Sequence, residues 1–131
     1  MIVDTSALMA IILGEPERDL FIAILASADT LSISAGSWVE LGAVIVRRQQ
    51  HMLEHELLAL RDDFEFGVEP VTVIQADLAR VAYREYGRGT GHPAKLNFGD
   101  CFAYALARET GEPLLFKGND FSQTDINPAV K

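Results

Sequence analysis

The feature that most constrains this chain is an alternation of short apolar stretches with longer helical ones, punctuated by glycine and proline. Ile2-Val3-Asp4 opens the chain as a two- to three-residue apolar strand. Residues 6–13 have helical composition, and Gly14 stands where a helix C-cap belongs. Pro16 suits the first turn of a second helix, running to about Ser27. Residues 30–34 read as a second strand, 37–49 as a third helix, and 52–64 as a fourth with an apolar stripe of Leu53, Leu57, Leu58 and Leu60. Gly67 and Pro70 bracket a turn, and the β-branched run Val71-Thr72-Val73-Ile74 is expected to be the third strand. Helix 76–86, a glycine-rich loop over 87–93 expected to be mobile, helix 97–110 capped by Asn97, and a strand over 113–116 complete the pattern. Strands alternating with helices demand a parallel sheet, because parallel neighbours need crossover connections, and both faces of such a sheet are covered. The expectation is a single α/β domain over residues 1–131 with a central parallel sheet of four to five strands flanked by helices.

Composition narrows the class. The chain is 49% hydrophobic and 23% charged, enough for a packed core. No apolar run reaches the ~18 residues that span a bilayer, and the N-terminus lacks the basic segment of a signal peptide. One cysteine, Cys101, excludes an internal disulfide framework and a CxxC metal site. A cytoplasmic protein without a membrane partner is expected. The formal net charge of −8 disfavours broad nucleic-acid binding through many Lys and Arg contacts. It permits a compact site in which a cation reverses the local field.

Where the acids fall is the functional signal. Asp4 is the only charged side chain between Met1 and Gly14. Glu40 is alone between Thr30 and Val46, and Asp100 between Asn97 and Ala107. A carboxylate inside an apolar segment is costly unless it is hydrogen-bonded, paired or bound to a metal. Asp4 ends the first strand, Glu40 follows the second, Asp100 starts the helix before the last strand, and Asp120 follows that strand. In a parallel sheet these positions share the rim where ligands bind. All-oxygen ligands without a Cys or His cluster select Mg2+ or Mn2+ over zinc. Each acid also has an ordinary explanation, as a helix cap, a first-turn charge or a turn residue.

Thr5, Ser6, Asn97 and Asn119 stand beside these acids and are candidates to orient them, although Ser6 and Asn97 are equally natural N-caps. Arg80, Arg84, Arg88 and Lys95 form a basic segment, with Glu85 its only acid, suited to a polyanion backbone or simply to a solvated helix face. His51 and His55 lie among Gln50, Glu54 and Glu56 and read as surface residues; Cys101 reads as a small buried hydrophobe.

The blocks Ile2-Val3-Asp4-Thr5-Ser6-Ala7-Leu8, Ser37-Trp38-Val39-Glu40, Asn97-Phe98-Gly99-Asp100-Cys101-Phe102-Ala103-Tyr104-Ala105 and Leu114-Leu115-Phe116-Lys117-Gly118-Asn119-Asp120-Phe121 resemble, in order, those of PIN-domain proteins of the VapC toxin type. The resemblance covers essentially the whole chain. It implies a PIN-like fold and Mg2+- or Mn2+-dependent cleavage of RNA. It further implies a VapB-type antitoxin from the same operon and a homodimer. By position it assigns Asp4, Glu40, Asp100 and Asp120 to an acidic pocket, with Asp4 and Asp100 as metal ligands. Gly118 stands where some members carry a further acid, and Asp125 is close enough in sequence to replace or supplement Asp120. Two other classes fit part of the pattern. A non-catalytic PIN-like interaction module shares the fold, and a phosphoryl-accepting receiver domain is also a small parallel α/β unit holding Mg2+. The receiver lacks an acceptor aspartate, since Gln75 follows the expected third strand.

Overall fold

The computed structural model describes residues 1–131. Its elements run β1 (Ile2–Val3), α1 (Thr5–Ile12), α2 (Arg18–Ser27), β2 (Ser32–Ser34), α3 (Ala35–Arg48), α4 (Met52–Phe64), β3 (Gly67–Glu69), α5 (Val73–Tyr86), α6 (Asp100–Thr110), β4 (Leu114–Leu115) and a short 3-10 turn at Phe121–Gln123. The four strands form one parallel sheet in the order β3-β2-β1-β4. Register is set by Ile2 opposite both Ser32 and Leu114, Val3 opposite Leu115, and Ile33 opposite Val68.

Side chains alternate across the sheet, so each strand feeds both faces. Val3, Ile33 and Leu115 join Leu8, Ile11, Phe21, Leu25, Leu41, Ile45, Leu53 and Leu57 in a core beneath α1 to α4. Ile2 and Leu114 join Ala82, Leu96, Tyr104, Leu106, Phe121 and Ile126 beneath α5 and α6. Burial on both faces explains why β1 and β4 are apolar at every position rather than at alternate ones. No helix is long and apolar enough to cross a membrane.

One strand lies elsewhere than the β-branched run suggests. The third strand is Gly67–Glu69, and Val73 and Ile74 form the exposed first turn of α5. Thr72 decides this: its Oγ1 accepts from the Gln75 backbone N–H at 3.1 Å and starts the helix there. Gly67 to Glu69 pair with β2 in full register, and buried Phe66 anchors their approach. The segment over 87–96 is organised by turns, with Leu96 N–H donating to the Tyr86 carbonyl and Ala94 and Leu96 fully buried. Its glycines at 89 and 91 take φ of +89° and +88°, the left-handed region that the turns require.

The order β3-β2-β1-β4 places the switch in strand direction of travel between β1 and β4. The carboxyl ends of these two neighbouring strands open onto one crevice, the usual ligand position in a parallel sheet.

Candidate active site

Asp4 leaves β1 at that crevice and is the N-cap of α1. Its Oδ2 accepts from the Ser6 backbone N–H at 3.0 Å and from the Ser6 hydroxyl at 2.6 Å. The cap is therefore Asp4, and Ser6 serves it. Ser6 Oγ also accepts from the Lys117 backbone N–H at 3.0 Å, so one hydroxyl joins the exits of β1 and β4. Asp4 is only 3% exposed, and burial holds its carboxyl above the usual aspartate range in spite of the Ser6 bonds.

Glu40 lies in the second turn of α3, the helix that leaves β2 directly through the Ser34 cap. Burial, opposed by the neighbouring Thr5 hydroxyl and reinforced by the charge of Asp4, raises its carboxyl pKa. Thr5 Oγ1 donates at 3.4 Å to the Ser37 carbonyl one turn before Glu40.

Asp100 begins α6. Only Gly111 to Pro113 separate α6 from β4, so the helix runs back against the strand and its N-terminus reaches the carboxyl rim. Asn97 and Asp100 exchange bonds: Asn97 N–H donates to Asp100 Oδ2 at 2.9 Å, and Asp100 N–H donates to Asn97 Oδ1 at 2.8 Å. This reciprocal cap fixes the Asp100 side chain. Desolvation, together with the charges of Asp4, Glu40 and Asp120, pushes the Asp100 carboxyl up to about 7. Asp120 follows β4 on the exposed rim and acts on Asp4 and Asp100 through its charge.

The four acids expected from the sequence are thus brought to one crevice. No ion pair reaches any of them: the salt bridges of the chain lie at Met1–Glu112, Arg108–Asp125 and Lys117 with Glu15 and Glu17. Lys117 is turned toward the loop between α1 and α2, and Arg47 acts on Glu40 through its charge alone. Carboxylates without an ion-pair partner, three of them withdrawn from solvent, fit a hard divalent cation in donor chemistry and in charge. As the side chains stand, no three His, Cys, Asp or Glu groups close on one point at ligating distance.

Asp125 is not part of this crevice. Its Oδ1 accepts from the Tyr104 hydroxyl at 2.8 Å and its Oδ2 lies 3.5 Å from Arg108, one and two turns along α6 from Asp100. It ties the C-terminal segment to the helix. Asn119 is exposed; its carbonyl accepts from Ser122 Oγ, and its side chain is bonded to none of the acids. Arg80 and Arg84 lie exposed on α5, whereas Arg88 and Lys95 belong to the turns that follow it. His51 and His55 are exposed and Cys101 is buried, as expected.

Two residues of the site carry no chemistry of their own. The Glu40 carboxylate fills the space in which a Cβ at Gly99 would sit, and the Phe102 ring does the same at Gly36. A glycine immediately before a helix-starting acid is the sequence trace of the first.

Sheet order, crevice and acid constellation define a PIN fold, and the match to the PIN domain family model extends over residues 1–127. The chain belongs to the PIN domain family. Within that family it belongs with the VapC proteins: it is 49% identical over 130 residues to Ribonuclease VapC28 of Mycobacterium tuberculosis, covering 99% of this chain and 98% of that one. Two solved structures share the fold. VapC20 of Mycobacterium tuberculosis, described as a Sarcin-Ricin loop cleaving toxin, superposes with a TM-score of 0.73 at 24% identity, covering 95% of each chain. A toxin-antitoxin complex from Klebsiella pneumoniae gives 0.66 at 21% identity, over 92% of this chain and 89% of that one. The family match sets the receiver-domain reading aside.

Proposed function

We propose that this chain is the toxin of a toxin–antitoxin pair and a divalent-metal-dependent ribonuclease. The observation that carries the reading is the convergence of four carboxylates without an ion-pair partner at the carboxyl rim of the sheet, in a chain 49% identical over nearly its full length to a protein named a ribonuclease. Asp4 and Asp100 would hold Mg2+ or Mn2+, with Glu40 and Asp120 completing the negative field. A bound dication supplies Lewis-acid polarisation of the phosphodiester and activation of water.

The chain's own groups do the positioning. Ser6 and the α1 N-terminus hold Asp4 in one orientation, and the Asn97 cap holds Asp100. Asp120 is exposed on the rim and so accessible to a polymeric substrate.

The same field supports an antitoxin partner of VapB type. An Arg or Lys inserted into the crevice would replace the cation and block it. A homodimer is supported by the apolar residues left exposed on α3, Val39 and Val46, spaced two helical turns apart.

The test is cleavage of RNA by the antitoxin-free chain with Mg2+ or Mn2+, beside EDTA and the Asp4→Asn/Asp100→Asn variant. Metal-dependent cleavage lost in that variant supports the reading. Metal binding without cleavage of any RNA fraction would leave a non-catalytic interaction module.

A further inference from the structure

The two segments that carry Asp4 and Asp120 hold a single basic residue between them. No Lys or Arg precedes Arg18, and between Arg108 and Lys131 there is only Lys117. The fold sets its backbone at the crevice. Two hydrogen bonds, of 3.0 and 2.6 Å, lead from the Lys117 N–H through Ser6 Oγ to Asp4 Oδ2. A lysine stem of four methylenes extends about 6 Å, enough for the ammonium to span that separation. Asp120 stands three residues further along the chain. Lys117 is thus within reach of a crevice whose acids have no ion-pair partner, and it pairs elsewhere.

Its ammonium is bonded to Glu15 Oε2 and lies 3.2 Å from Glu17 Oε2. All three side chains are half-buried. The loop that carries the two glutamates is fixed by its own backbone. Gly14 takes φ +68°, and the Glu15 N–H donates to the Ala10 carbonyl at 2.9 Å. Pro16 sets φ between the two acids, and Arg18 Nη1 donates to the Ile11 carbonyl at 2.7 Å. Two carboxylates therefore share one ammonium on a rigid loop, while four acids nearby have none. An ammonium among those four would compete with a dication for the same oxygens and repel it.

We propose that Glu15 and Glu17 are positioning residues: they latch the Lys117 ammonium outside the acid crevice and so keep its carboxylates open to a divalent cation. The proposal rests on the divalent-metal reading above and adds to it the device that prevents the chain from filling the site with its own lysine.

The test compares the antitoxin-free chain with Glu15→Gln/Glu17→Gln, with Lys117→Met, and with the three changes together. Mn2+ affinity is read by calorimetry. Opening the latch is expected to weaken Mn2+ binding about ten-fold. Lys117→Met in the same chain is expected to restore it, which a loss of loop structure alone would not allow. Glu54→Gln/Glu56→Gln, on the exposed face of α4, removes the same charge and is expected to stay within about two-fold of wild type. A second readout needs no metal. A carbodiimide joins an amine to a carboxyl in contact with it, and peptide mapping then locates the bond. Lys117 is expected to join Glu15 or Glu17 in wild type, and Asp4, Asp100 or Asp120 once the latch is opened. Unchanged Mn2+ affinity in the opened chain, a loss that Lys117→Met does not reverse, or an opened chain in which Lys117 joins none of the crevice acids overturns the latch. Failure of wild type to bind Mn2+ removes the metal reading itself, and the cross-links then decide separately whether Lys117 is held out of the crevice.

Discussion

The Glu40 carboxylate occupies the space directly beside Gly99 where any other residue would carry a Cβ. Gly99 has an ordinary right-handed backbone, φ −64°, so glycine is required there for room and not for conformation. Helices α3 and α6 approach at this point, and the approach brings the Glu40 and Asp100 charges into the same crevice.

Gly99→Ala is therefore expected to displace Glu40 from the crevice. Cleavage falls at least ten-fold, and stability drops by about 1–3 kcal/mol as an overpacked contact does. In a Glu40→Ala background the same change finds the space empty, so its stability cost largely vanishes. A double-mutant cycle by denaturant unfolding reads the difference. Equal costs in both backgrounds would refute the contact.

Asp4 combines a cap with a buried charge, and Asp4→Asn separates the two roles. Asparagine caps a helix as well as aspartate does. The variant is expected to lose cleavage and yet, without metal at pH 8, to melt no lower than wild type, because a desolvated charge has been removed. Ser6→Ala removes the hydroxyl that bridges Asp4 and Lys117, and should cost about 1 kcal/mol and lower activity without abolishing it. Calorimetry and the cleavage assay check both.

Stability without metal should depend on pH in one direction. The Asp100 carboxyl moves from 3.8 to about 7 on folding, and Asp4 and Glu40 shift upward with it. The fold thus favours their protonated forms. Their contribution to stability is fully present below about pH 4 and is lost as pH rises through about 7, the opposite sign to the lowered Glu17 carboxyl, which acts only at the acid end. Added Mg2+ or Mn2+ binds the ionised carboxylates and should flatten that decline. Melting temperatures across pH 4 to 8, with and without metal, provide the measurement; a metal-free chain that gains stability over this range would contradict the assignment.

Asp120 and Asp125 should separate cleanly. Asp120→Asn is expected to lower cleavage about ten- to a hundred-fold, as loss of an outer charge at a metal site does. Asp125→Asn should leave cleavage within about two-fold and cost stability instead. Its exposed pair with Arg108 is worth at most about 1 kcal/mol, and the asparagine oxygen still accepts from the Tyr104 hydroxyl. Tyr104→Phe removes that bond and should cost about 1 kcal/mol. Comparable activity losses at the two positions would return Asp125 to the site.

The sequence by itself determined the layered plan and the acids at its centre. Strand–helix alternation is a local pattern, and a lone carboxylate in an apolar stretch is conspicuous because burying one is costly. Asp4, Glu40 and Asp100 were legible for that reason, and Asp120 by its place after the last strand. Tertiary structure alone decided the rest. Val71 to Ile74 has strand composition, yet pairing with β2 selected Gly67–Glu69, and the Thr72 cap turned what followed into helix. Asp125 stands five residues from Asp120 in the sequence, but the Tyr104 hydroxyl carries it away from the crevice. The space at Gly99 exists only where α3 and α6, distant in sequence, meet. Strand pairing and helix approach are contacts between remote residues, and their energies are absent from any local window of the chain.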